Sequence, residues 1–279
     1  MLHFIQTAWL LARLQLRSLL LSRRMLLCVL LAIAPVVIAW FAGAHEDATE
    51  TVPILGLFMV LQVVAPLISL TLGSSVVTEE IESRTITYIF TRATDRAAFF
   101  LGRLAASSAV SACLLALSAG GVVWASTTTR SGSANMKRDW SQGRPPVMVE
   151  IVRDLPDGLA NGLVAAAALA AIMYTLISAG LGVFFKRAMI LALAYTFAIE
   201  GFMANIPGST QKMSVQFYLR GLLTSAYDKS SSLLTEIPGL AETQLYSVPE
   251  SIARLGAAYV LLLVIGALGI RRREYLMTS

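Results

Sequence analysis

Apolar residues run through this chain in long blocks rather than in alternation. Six blocks, at 25–41, 52–72, 99–126, 159–185, 188–206 and 252–270, approach the roughly 20 residues that a helix needs to cross a bilayer core. Each is predicted to be a membrane-spanning helix, because lipid cannot hydrogen-bond an open backbone. One interval between blocks has a different texture. From Gly73 to Leu104 it holds four acids (Glu79, Glu80, Glu82, Asp95) and four arginines (Arg84, Arg92, Arg96, Arg103). That many charges cannot sit in hydrocarbon, so residues 74–98 are expected outside it. Ile81, Thr85, Tyr88 and Ile89 recur at helical spacing, with Thr78 at an N-cap position and acids in the first turn. This pattern predicts a short amphipathic helix on the membrane surface.

The first 24 residues form another amphipathic segment. Arg13, Arg17, Arg23 and Arg24 interrupt a leucine-rich stretch, which fits a helix lying in the interface with its arginines reaching toward headgroups. The charges recur along its length and no small-residue cleavage site follows, which argues against a signal peptide. Basic residues also set the expected orientation. With both ends of the chain inside, 13 of the 22 Lys and Arg residues fall in short cytoplasmic segments, among them Lys186, Arg187 and the run Arg271–Arg273. The outer side is then the short acidic loop 43–51 and the longer segments 127–158 and 207–251. Pro145 and Pro146 break any long helix in the second of these, and short helices on or in the outer leaflet are expected in the third.

Composition agrees with the pattern: 56% of residues are hydrophobic, 14% are charged, and the mean hydropathy is +0.70. The predicted fold is therefore one all-α integral membrane domain over 1–279, with six transmembrane helices and an N-terminal interfacial helix. The few polar side chains exclude several chemistries. Cys28 and Cys113 both fall in spans, which disfavours a disulfide framework or thiolate metal site. His3 and His45 are the only histidines and belong to opposite sides, so no histidine metal cluster or Ser-His-Asp triad is expected. No G-x-x-x-x-G-K-[ST] motif is present, so the chain has no phosphate-binding loop of its own. Catalytic, cofactor-binding and metal-binding residues are not expected, and neither is a nucleic-acid partner.

Two stretches carry a resemblance. The first is Glu79-Glu80-x-Glu82-x-x-Thr85 with Arg92, Arg96 and then Leu101-Gly102-Arg103-Leu104. The second is Ala192-Leu193-Ala194-Tyr195, Glu200-Gly201, Ala204-Asn205-Ile206-Pro207-Gly208, Ser214 and Tyr218-Leu219-Arg220-Gly221-Leu222. Together with the six-span layout they resemble the permease family of ABC-2 type transporters. The resemblance implies a non-catalytic membrane subunit in the inner, cytoplasmic membrane of the cell. It implies pairing with a second permease, identical or paralogous, and with two copies of a cytoplasmic ATPase that binds ATP and Mg. Val77–Phe90, within the 74–98 cytoplasmic coupling loop, would be the coupling helix, and Thr78, Glu79, Glu80, Glu82, Thr85, Arg92 and Arg96 would face the ATPase.

Three function classes follow. The first is an ATP-driven exporter or flippase working at a permease dimer interface. The second is an ATP-coupled membrane partner in cofactor maturation or envelope remodelling. The third, an ion-coupled secondary transporter, usually requires several intramembrane ionisable groups. Here the spans offer one, Glu200. A lone carboxylate there needs a partner, with Arg220 and Arg254 the candidates, and it serves either to pin its helix or to line a gate.

Overall fold

In the computed structural model the described residues are 2–42, 52, 54–78, 96–128, 136–139, 147–150, 158–185, 187–202, 209–225 and 247–272. Eight α-helices account for most of them: α1 (Leu2–Leu20), α2 (Arg23–Ala42), α3 (Ala65–Ser74), α4 (Arg96–Thr128), α5 (Leu159–Phe184), α6 (Ala188–Tyr195), α7 (Val215–Ser225) and α8 (Val248–Arg272). A π-helical segment, Leu55–Val64, runs directly into α3, and a second one, Thr196–Phe202, extends α6. Between α4 and α5, Met136–Asp139 pairs antiparallel with Val147–Glu150 in a two-stranded ribbon.

Local chemistry explains several boundaries. Ser22 ends α1 and starts α2: its hydroxyl donates to the Leu19 carbonyl at 2.7 Å and accepts from the Met25 N–H at 3.3 Å. Pro66 explains why the second apolar block changes its winding. The Ala65 N–H reaches back five residues to the Val60 carbonyl. The next donor in that ladder would be residue 66, and proline has none. The Leu61 carbonyl is thereby left without a partner inside its own helix.

Five helical stretches are long and apolar enough to cross a membrane: α2, the continuous 55–74 stretch, α4, α5 and α8. This is the make-up of a multi-pass membrane protein. The block expected at 188–206 differs. Its described helix, Ala188–Phe202, consists of 8 α-helical and 7 π-helical residues. At about 1.5 Å per residue it is about 22 Å long, short of a core of about 30 Å. Residues 79–95, which carry most of the expected surface helix, lie outside the described residues, as do 203–208.

Helix α5 is the hub, packing against α4, the 55–74 stretch, α6, α7 and α8. Small residues allow this closeness. A Cβ on Gly73 would lie 2.6 Å from the Thr175 carbonyl oxygen, so the α3 and α5 backbones touch there. Hydroxyls tie neighbouring helices together: Ser178 of α5 donates to the Leu70 carbonyl of α3 at 3.0 Å, Ser111 of α4 and Thr175 of α5 share a 2.8 Å bond, and Ser118 of α4 donates to the Ala32 carbonyl of α2 at 2.7 Å. Helix α1 docks on α4 in the same manner, since a Cβ on Gly102 would meet the Ala8 carbonyl oxygen at 2.3 Å.

The surface is that of a lipid-exposed protein. Only 22% of the apolar window of α2 and 11% of that of α8 is buried, against 61% for α5. Leu26, Leu30, Phe41, Val260 and Leu261 stand exposed on those two helices. Water would disfavour so broad an apolar face, whereas hydrocarbon would not. The two ends of the bundle also differ. Trp40 and Trp124 meet at 5.8 Å where α2 and α4 finish. The opposite end gathers the start of α4 and the finish of α3, α5 and α8 into one apolar cluster that includes Val76, Val77, Phe99, Leu104, Val183 and Ile270. Arg96, Arg103, Arg187, Arg271 and Arg272 lie in or beside the helix ends that build it.

Candidate functional site

The most elaborate polar assembly among the described residues surrounds Glu200, which is 1% exposed. It sits in the second π-helical segment, five residues after Tyr195, and that spacing places the Tyr195 hydroxyl 3.1 Å from Oε1, to which it donates. The other three donors come from the start of α7. The Val215 N–H reaches Oε1 at 2.9 Å, the Gln216 N–H reaches Oε2 at 2.9 Å, and the Ser214 hydroxyl donates to Oε2 at 2.8 Å.

This is a helix cap shared between two residues. A helix leaves its first N–H groups without intrahelical acceptors. Here Glu200 takes those of the first two positions of α7, and Ser214 at the N-cap accepts the third, from Phe217, at 3.4 Å. The carboxylate also faces the positive end of the α7 dipole. Each oxygen accepts two hydrogen bonds, which uses the acceptor capacity of a carboxylate. An isolated charge in hydrocarbon costs on the order of 2.5–3.5 kcal/mol, and these four donors replace the water it has lost. Neither Arg220 nor Arg254 is among these four donors, although Arg220 interacts with the carboxylate electrostatically. The partner is a helix terminus, which no single residue type signals.

Two side chains one turn apart on α7 then grip the proline-interrupted segment. Gln216 Nε2 donates to the orphaned Leu61 carbonyl, and Arg220 donates to Gln62 Oε1 at 3.4 Å. Gln216 and Leu61 are both fully buried. The Tyr174 hydroxyl of α5, also fully buried, faces Glu200 and Gln216 from the hub. The cluster therefore joins α6, α7, α5 and the 55–64 segment through one carboxylate and one amide. Both π-helical segments among the described residues end up at it. Chemically it is a latch: the acceptor positions of the carboxylate are filled, while Tyr174 Oη and Gln216 Oε1 are buried beside it without a hydrogen-bond partner among the described residues.

A second polar group lies at the arginine-rich end. Arg103, 6% exposed, donates through Nε to Gln15 Oε1 at 2.6 Å and lies 5.2 Å over the Phe99 ring. Gln15 Nε2 in turn contacts Ser75 Oγ at 3.4 Å. This chain links α1, the start of α4 and the turn after α3.

Of the residues expected to face an ATPase, Thr78 and Arg96 are described. Thr78 closes the turn after α3, beside Gly182 of α5. Arg96 opens α4 and donates to the Arg271 carbonyl at 3.4 Å. Glu79, Glu80, Glu82, Thr85 and Arg92 lie outside the described residues. Cys28 and Cys113 are free thiols, and no group of three or more metal-ligating side chains occurs among the described residues. Sequence reasoning singled out Glu200, placed Tyr195 and Ser214 in the same motif without a role, and missed Gln216 and Pro66. Pro66 inside an apolar block was the legible signal, because it guarantees an orphaned carbonyl one turn earlier. No protein-family model matches the chain, and no curated protein matches it.

Proposed function

We propose that this chain is the permease subunit of an ABC-2 type transporter. Two copies, or one copy and a paralogue, form the substrate path in the inner membrane, and a separate ATPase pair supplies the energy. In this reading α6, continued by residues 203–206, makes a sixth crossing, and α7 folds back against the bundle from the outer side. Both termini are cytoplasmic, and residues 74–98 are the coupling element, with Thr78, Glu79, Glu80, Glu82, Thr85, Arg92 and Arg96 meeting the ATPase.

One observation supports the reading more than any other. The two anchors of the charged segment, Thr78 and Arg96, belong to the same end of the bundle, where Val76, Val77, Phe99 and Phe100 share one apolar cluster with Val183 and Ile270. A load applied to the segment between those anchors acts directly on the ends of α3, α4, α5 and α8. A segment with acids at its start and arginines at its end also offers charge complementarity to a docking partner. The Glu200 latch gives the opposite half of the protein a joint that ties α6 and α7 to the π-helical segment before α3.

Purification of the tagged chain from its native membranes tests the proposal. The expected complex contains two permease chains and two copies of a nucleotide-binding protein, and it hydrolyses Mg-ATP, whereas the chain alone does not. An intact, stable assembly with no nucleotide-binding protein would overturn it.

A further inference from the structure

We propose that a cavity of about 680 Å³ between α5, α6 and α8 holds the acyl chain of an anionic glycerophospholipid, with Arg187 and Arg272 meeting its phosphate. The proposal rests on the membrane-embedded reading of these helices and not on the transporter reading.

The cavity floor is Met173, Leu176 and Val215, all buried, and its rim includes Phe185, Leu191 and Ile265, which are 39–48% exposed. The lining is almost wholly aliphatic and aromatic, so no polar headgroup or hydrated solute is matched inside it. Its volume falls within the roughly 300–1,000 Å³ typical of ligand pockets. From Met173 to Phe185 the α5 wall is about 18 Å long, close to the depth of one leaflet, about 15 Å for half of a 30 Å core. The rim residues are themselves large and apolar, so the mouth opens toward whatever solvates the outer surface of α8. In a bilayer that is lipid.

Charge selects the lipid. Arg187 is exposed and follows the rim residue Phe185 by two positions. The end of α8 reaches the same place, because a Cβ on Gly269 would lie 2.7 Å from Phe184 Cζ, and Arg272 stands exposed three residues later. Two exposed arginines at the end of an apolar slot offer an anionic phosphate a charged contact that a zwitterionic lipid uses less well. Gly180 lines the slot, and a Cβ there meets nothing within 4 Å, so a larger side chain enters empty space rather than a neighbour.

Native mass spectrometry of the purified full-length chain in detergent, titrated with dioleoyl phosphatidylglycerol or dioleoyl phosphatidylcholine, tests this. The wild type should retain one phosphatidylglycerol with at least tenfold preference. Arg187→Ala and Arg272→Ala should each reduce that preference about fivefold, while Arg13→Ala on α1 leaves it unchanged. Gly180→Phe should abolish retention of either lipid at an unchanged circular dichroism spectrum. Equal retention of the two lipids by the wild type, or retention indifferent to both arginine variants, would leave only annular lipid and overturn the proposal. So would efficient self-cross-linking of Ile265→Cys between copies in membranes, because a second chain would then close the slot. None of these readouts depends on an ATPase, so failure here is distinguishable from failure of the permease reading.

Discussion

Replacing Glu200 by glutamine tests the latch with the smallest change of shape. The carboxylate accepts from four donors, two of them hydroxyls and two of them backbone N–H groups. In Glu200→Gln one oxygen becomes an NH₂ donor. Whichever oxygen is lost, it had accepted from one hydroxyl and one N–H: Tyr195 and Val215 on one side, Ser214 and Gln216 on the other. The hydroxyl can turn and accept instead, whereas the N–H cannot. One buried N–H is therefore stranded, at about 1–3 kcal/mol. Loss of the charge opposite the α7 terminus adds roughly 0.3–1 kcal/mol or somewhat more in a buried setting. A total of about 2–4 kcal/mol corresponds to roughly 30- to 700-fold less protection, so hydrogen exchange at the amides of 215–217 is the assay that reads local opening of α7. Protection at α5 should hardly change. If exchange at 215–217 stayed within about threefold of wild type, the cap would not depend on Glu200 and the reasoning would fail. If the latch also serves as an outer gate, ATPase activity of the assembled complex should survive in Glu200→Gln while transport falls.

Three further outcomes follow. Gln216→Leu should destabilise the α7 contact by about 1–3 kcal/mol by orphaning the Leu61 carbonyl. Pro66→Ala, which returns a donor to that ladder, should recover part of the loss in a double-mutant cycle of chemical stability, and strict additivity would refute the account of the orphaned Leu61 carbonyl. Gly102→Val should undock α1 from α4, since the Ala8 carbonyl leaves no room, and faster proteolysis within 2–20 is the readout; wild-type resistance would contradict the packing. In a background without Cys28 and Cys113, a membrane-impermeant thiol reagent applied outside should label Ser133→Cys and Ser231→Cys but not Ser83→Cys. Outside labelling at 83 would invert the orientation.

The apolar blocks were legible because hydrocarbon imposes a length and a composition that few other environments demand. Five of them correspond to long helices whose ends differ from the expected ones by a few residues. The block at 188–206 shows where that reasoning stops. Hydropathy measures apolar run, not winding, and it did not register that residues 196–202 wind as a π-helix that brings Glu200 to Ser214. Glu200 itself was conspicuous as the only charge in its span, so the position of the site was readable. Its partners were not, because two of the four are backbone groups that any residue would supply. Gly102 and Arg103 stood in a recognisable motif, yet their contacts with Ala8 and Gln15 join positions 94 and 88 residues apart, and local pattern carries no information about such pairs.

The central claim is that residues 74–98 couple this chain to an ATPase. Its most direct test is Mg-ATP hydrolysis by the complex reconstituted in proteoliposomes, with the wild-type chain and with Glu79→Lys/Glu80→Lys/Glu82→Lys. The account predicts no hydrolysis by the chain alone, stimulated hydrolysis by the wild-type complex, and either lost assembly or hydrolysis uncoupled from transport in the triple variant. Full assembly with unchanged, coupled hydrolysis in the triple variant would contradict it.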